Sequence, residues 1–138
     1  MIRAAMIFAL SLSATPVLAD GDVAAGEELV AKRCKTCHMI ADGDNVILKG
    51  GKTGPNLYAI IGRTAGTYEG FKYGDGLIAA GAKGLVWDAE QISAYIENPK
   101  GYLAAYLDDS KAKSKMAFKL KDADDRANVA AYLASLPQ

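Results

Sequence analysis

Both cysteines of the chain and its one histidine fall within five consecutive residues, Cys34-Lys35-Thr36-Cys37-His38. Two thiols and one imidazole cannot by themselves supply the four ligands of a closed Cys/His zinc site. A thioredoxin-like redox pair also uses Cys-x-x-Cys, but that fold places it after a strand, at the start of a helix. No strand pattern precedes Cys34. Instead Asp22 to Arg33 reads as an amphipathic helix, with an acid near its start and Val23, Gly26, Leu29 and Val30 in helical spacing.

On a helix, positions three and four apart share a face, so Cys34, Cys37 and His38 can point the same way. Cys-x-x-Cys-His is the attachment signature of c-type haem. The two thiols add to the vinyl groups of the macrocycle, and the imidazole reaches the iron as proximal ligand. One haem c, covalent through Cys34 and Cys37, is the expected cofactor; a disulfide or surface metal binding is the plainer alternative. Export chemistry supports the haem. Arg3, the apolar run from Ala4 to Leu12 and the sequence Val17-Leu18-Ala19 read as a signal peptide over residues 1–19, cleaved after Ala19, with residues 20–138 as one domain. The run is too short and too interrupted to span a bilayer comfortably, an uncleaved anchor being the alternative. The expected location is the periplasm. Sixteen Lys and Arg balanced by sixteen Asp and Glu argue against a nucleic-acid partner.

The second axial ligand follows by elimination. No second His exists, Met1 and Met6 leave with the signal peptide, and Met39, beside His38, leaves the helix in another direction. Met116 remains, in the Lys-rich stretch Ser110 to Lys119 where no core stripe requires it. An open sixth position, or a lysine such as Lys115 at high pH, stays as an alternative.

The remaining chain reads as a small all-α domain with long loops and no alternating strand pattern. Asn45 to Asn56 is expected to be loop, and Gly62 to Gly84 to be Gly-rich with one short helix near Asp75 to Gly81. Asp88 caps a helix whose buried face is Ile92, Tyr95 and Ile96, with Gln91 as capping-box partner. That helix must stop before Pro99, which starts a short one through Tyr106. Asp122 caps the last helix, with Val129, Tyr132, Leu133 and Leu136 as its stripe. So loop-rich a chain has a thin core of its own. Burying several hundred Å2 of macrocycle at about 25 cal/mol per Å2 would add many kcal/mol.

These residues resemble class I c-type cytochromes, specifically the bacterial cytochrome c2 group related to mitochondrial cytochrome c. The resemblance runs through Gly21 to Gly26, Cys34 to His38, Thr53-Gly54-Pro55-Asn56-Leu57 with Gly62-Arg63, Tyr95 to Lys100, Lys115 to Phe118, and Ala131-Tyr132-Leu133. It implies a cytochrome c fold wrapped around one haem. It also implies that the Pro55 carbonyl holds the far nitrogen of His38 and that Tyr95 hydrogen-bonds near the Met116 sulfur. Arg63, Tyr73 and Trp87 would hold a buried propionate, and Phe118 would shield the crevice. Val30 and Val129 are smaller than is usual where the first and last helices cross, which predicts somewhat looser packing, with Gly26 allowing the close approach.

His/Met coordination fills both axial positions and raises the reduction potential, which describes a one-electron carrier and not an enzyme. Lys111, Lys113, Lys115, Lys119 and Lys121 fall in eleven residues without an acid. On the resemblance, Arg33, Lys35 and Lys100 join them around the haem edge as a steering patch for acidic partners. The implied partners are a quinol–cytochrome c oxidoreductase as donor and a photosynthetic reaction centre and/or cytochrome oxidase as acceptor. The carrier is expected to be a monomer without stable membrane insertion.

Overall fold

A computed structural model describes residues 21–138; the expected signal peptide lies outside the described residues. Among the described residues are five α-helices, three of them opened by an aspartate cap. Asp22 accepts from the Ala25 N–H and opens α1, Val23–Leu29. α2 spans Asp75–Ala82, α3 Ala89–Glu97, α4 Pro99–Leu107 and α5 Ala123–Ser135. Asp88 and Asp122 each accept the N–H three residues on, at 2.7 and 2.9 Å, the side-chain cap that satisfies a free helix-end donor. Pro99 sits at the first turn of α4, where its missing N–H costs nothing.

Two features depart from the sequence reading. The first helix does not run on as α-helix to Arg33: after Leu29 it widens into a π-helical turn, Val30–Cys34. And Asn45 to Asn56 is not all loop. An antiparallel hairpin pairs β1, Ile40–Asp42, with β2, Asn45–Leu48, through Gly43 at φ +56°. Positive φ at a two-residue turn is what glycine supplies without strain. The strands escaped notice because Val46-Ile47-Leu48 does not alternate and an irregularity between Ile40 and Ala41 breaks the register.

The core lies where α1 and α3 pack on α5. Val30 and Val129 are 0% and 3% exposed. Gly26 brings the α1 backbone close to that of Asn128, and both valines belong to the buried core. Leu103 on α4 and Leu120 after the Lys-rich segment close the other side. An isolated antiparallel bridge, Thr64 with Val86, ties the Gly-rich stretch to the residue before Trp87.

Candidate functional site

The helical turn at Cys34 does not end at once. The Cys34 carbonyl accepts from both the Cys37 and His38 N–H groups, at 3.1 and 2.9 Å, which keeps all three residues on one turn. The following loop is laced to it: Gly51 N–H donates to the Lys35 carbonyl at 2.8 Å, and Gly54 N–H to that of Cys37 at 2.8 Å. Gly54 has to be glycine, because a β-carbon there would lie 2.3 Å from Cε1 of His38. Nδ1 of His38 donates to the Pro55 carbonyl at 2.8 Å. A carbonyl can only accept, so this bond fixes the proton on Nδ1 and leaves the Nε2 lone pair free. Burial pushes the His38 pKa down, against the pull of that hydrogen bond, and so favours the neutral ring a metal needs.

His38 faces a cavity of about 600 Å3 that Cys34, Cys37 and Met116 also line. Met116 comes from a distant part of the sequence, on a segment fastened at both ends. Leu120 N–H donates to the Ile96 carbonyl at 2.8 Å, and Lys115 Nζ donates to the Lys72 carbonyl at 3.0 Å with its stem across Gly74. Ser114, which sequence reasoning missed, sets the turn that carries Met116. Its Oγ accepts from the Met116 N–H at 3.1 Å, donates to the Met116 carbonyl at 3.0 Å, and lies 3.3 Å from the Tyr95 hydroxyl. The expected tie between Tyr95 and the methionine therefore runs through Ser114. The available signal was a serine two residues before the methionine, placed to bond back to the backbone.

Trp87, Tyr73 and Phe118 line the cavity as well. Arg63 is not among the lining residues. Its guanidinium donates to the carbonyls of Asn56, at 2.9 Å, and Tyr58, and its Cζ lies 4.7 Å from the centroid of the Tyr68 ring, so it braces the wall from behind, beside Tyr73. Asn56 clamps the hairpin to the same wall, bonding both the N–H and the carbonyl of Ala41. At the mouth stand Arg33, 5.8 Å above the Phe118 ring, with Lys113 and Lys115. Lys35, Lys100, Lys111 and Lys119 are exposed but do not line the cavity.

These walls suit a covalently held haem. Aliphatic and aromatic side chains such as Leu57, Ile60, Leu77 and Ile92 match a flat apolar macrocycle. Cys34 and Cys37 carry free thiols rather than a disulfide. Burial pushes the Cys34 thiol up to about 11. A site that resists a thiolate accepts an uncharged thioether sulfur at no electrostatic cost.

Comparison with known proteins agrees with the geometry. Residues 23–137 match the family model described as Cytochrome c. Cytochrome c-551 of Roseobacter denitrificans is 54% identical over 133 residues, covering 96% of this chain and 93% of its own. Cytochrome c2 of Rhodobacter capsulatus is 52% identical over 136 residues, covering 98% and 96%. The solved structure of Rhodobacter capsulatus cytochrome c2 superposes with a TM-score of 0.78, over 83% of this chain and 97% of that one. The chain belongs to the cytochrome c family, whose members are electron carriers and not enzymes and bind one covalent c-type haem.

Proposed function

We propose that His38 and Met116 are the axial ligands of the haem, and that the protein is a soluble periplasmic carrier, exported by residues 1–19. It takes electrons from a quinol–cytochrome c oxidoreductase and passes them to a photosynthetic reaction centre and/or a terminal oxidase. What supports the ligation is that one cavity is lined at once by Cys34, Cys37, His38 and Met116. The relatives named cytochrome c2 support the carrier role, and among the described residues no helix is long and apolar enough to cross a membrane.

The bound haem supplies a one-electron Fe(III)/Fe(II) couple. The chain supplies two ligands that need not move between oxidation states. His38 is oriented by Pro55, a bond that also raises its basicity. Met116 is oriented by Ser114 and Tyr95. Tyr73 and Trp87, on a wall braced by Arg63, would hold a haem propionate, and Phe118 would shield the crevice. Arg33, Lys113 and Lys115 form the rim that meets an acidic partner, with Lys35, Lys100, Lys111 and Lys119 widening its field. Lys115 has a second task, because its ammonium is engaged by the Lys72 carbonyl.

Long-range steering is a rate effect that salt removes. The Debye length falls from about 30 Å at 0.01 M ionic strength to about 8 Å at 0.15 M. Reversing Lys35 and Lys113 to Glu is expected to slow electron transfer with an acidic partner by on the order of tenfold at low salt. The deficit should largely vanish at high salt. Stopped-flow rates across an ionic-strength series make the measurement, and equal slowing at every salt concentration would refute the docking rim.

A further inference from the structure

Four aromatic rings run in unbroken contact from the cavity wall toward the surface of α4. Trp87 and Tyr95 both line the cavity and meet edge to face, centroids 5.1 Å apart. Tyr102 lies behind them, 5.7 Å from Tyr95 and 6.5 Å from Trp87. One helical turn on, Tyr106 stacks against Tyr102 at 6.0 Å with the planes only 13° apart. Tyr102 and Tyr106 are half-buried and have no part in haem attachment, ligation or docking. Apolar bulk alone could be had from Leu or Phe. What tyrosine adds is a phenol that can give up one electron.

We propose that Tyr102 and Tyr106 form, with Tyr95 and Trp87, an electron route through which the reduced carrier quenches strong one-electron oxidants that reach the α4 face. The substrate class is a radical or metal-centred oxidant strong enough to oxidise a phenol. This deepens the carrier role, since the electron comes from the same reduced protein.

The surroundings set the direction. The Lys83 ammonium lies 5.7 Å from the centroid of the Tyr106 ring and donates to the Tyr106 carbonyl at 2.7 Å, and a cation over a ring makes loss of an electron from it harder. The Tyr102 hydroxyl donates to Oε1 of Gln91, which stabilises the positive charge that grows on the phenol as an electron leaves. The oxidising equivalent therefore moves inward from Tyr106 to Tyr102. The oxidant gains one electron; Tyr102 loses that electron and releases its O–H proton to water, becoming a neutral tyrosyl radical. Tyr95 or Trp87 then relays one electron from the reduced carrier, and Tyr102 takes back a proton. The net change is one electron from carrier to oxidant with no net proton.

The test uses reduced holoprotein and photogenerated tris(bipyridine)ruthenium(III) as the oxidant, followed by transient absorption. In the wild type, tyrosyl absorbance should rise and then decay with the same rate constant as the haem turns ferric. Tyr102→Phe keeps the ring but removes the phenol, and should lose both the transient and the delayed phase of haem oxidation. Tyr106→Phe should slow appearance of the tyrosyl signal. Oxidation by ferricyanide, too weak to oxidise a phenol, should be unchanged in both variants. Failure of ferricyanide to oxidise the wild type would instead count against the carrier role itself. A time course in Tyr102→Phe identical to the wild type overturns the route. A second arm needs no variant: a spin trap added to the wild-type reaction should label the peptide carrying Tyr102, and labelling confined to other peptides also overturns it.

Discussion

Replacing Met116 by alanine is expected to leave the haem covalently attached while lowering its reduction potential and opening the iron to outside ligands. Attachment should survive because Cys34 and Cys37 stand on a turn held by its own backbone bonds, none of which involves residue 116. The segment carrying residue 116 should also keep its course. The Leu120 bond to Ile96 and the Lys115 bond to Lys72 anchor it on either side, and neither involves the thioether. What disappears is the soft sulfur that favours the reduced iron. Axial ligation tunes haem potentials over a range of about 0.8 V, so losing the thioether should lower this one by on the order of 0.2 V. Potentiometric titration gives the shift, and carbon monoxide binding to the reduced variant reports the vacated position. An unchanged potential, with carbon monoxide still excluded, would remove Met116 from the iron.

The proposed ligands were legible in the sequence because they are scarce residue types. With one His and few Met, counting narrowed the candidates to His38 and Met116, and the cavity holds both. The capped helices were legible for a different reason: Asp88, Asp122 and Pro99 act on backbone groups within three residues, so their effect does not wait for the rest of the fold. Features set by tertiary contact were not legible. The π turn at Val30–Cys34 answers to how α1 meets the haem-attachment segment, and no local pattern announces it. The Gly-rich stretch hid two wall residues: Phe71, because a loop without periodicity gives no sign of which side chains face inward, and Leu77, because the eight-residue α2 is too short to show a clear apolar stripe. The hairpin left one sign, Gly43-Asp44 between Asp42 and Asn45, a pair suited to a two-residue turn. Its second strand is largely exposed, so the alternation that burial imposes on one face never developed. Ser114 left a sign of the same local kind, but its importance depends on Tyr95, nineteen residues away.

Gly26→Ala should be strongly damaging although it lies away from the haem ligands. A β-carbon at this position would lie 2.0 Å from the Asn128 carbonyl oxygen, 2.6 Å from its carbon and 2.8 Å from Cβ of Tyr132. Two of those atoms are α5 backbone, which cannot swing aside as a flexible side chain would, so α1 has to lift off α5. Replacing Gly by Ala inside a helix ordinarily gains up to about 1 kcal/mol of propensity. Overpacking of a close contact costs about 1–3 kcal/mol and occasionally more. With backbone atoms on the receiving side the steric cost prevails, and a net loss of about 2 kcal/mol is expected. The damage should also reach the haem, because Val129 and Leu133 on α5 line the cavity. Lifting α1 lets that wall relax and water enter, which weakens the hold on the haem that the apolar walls provide. Guanidinium unfolding followed by Trp87 fluorescence and by haem absorbance should give a lowered midpoint by both probes. A midpoint at or above that of the wild type would mean that the helices separate without strain, and that their close crossing is not what keeps this side of the crevice shut.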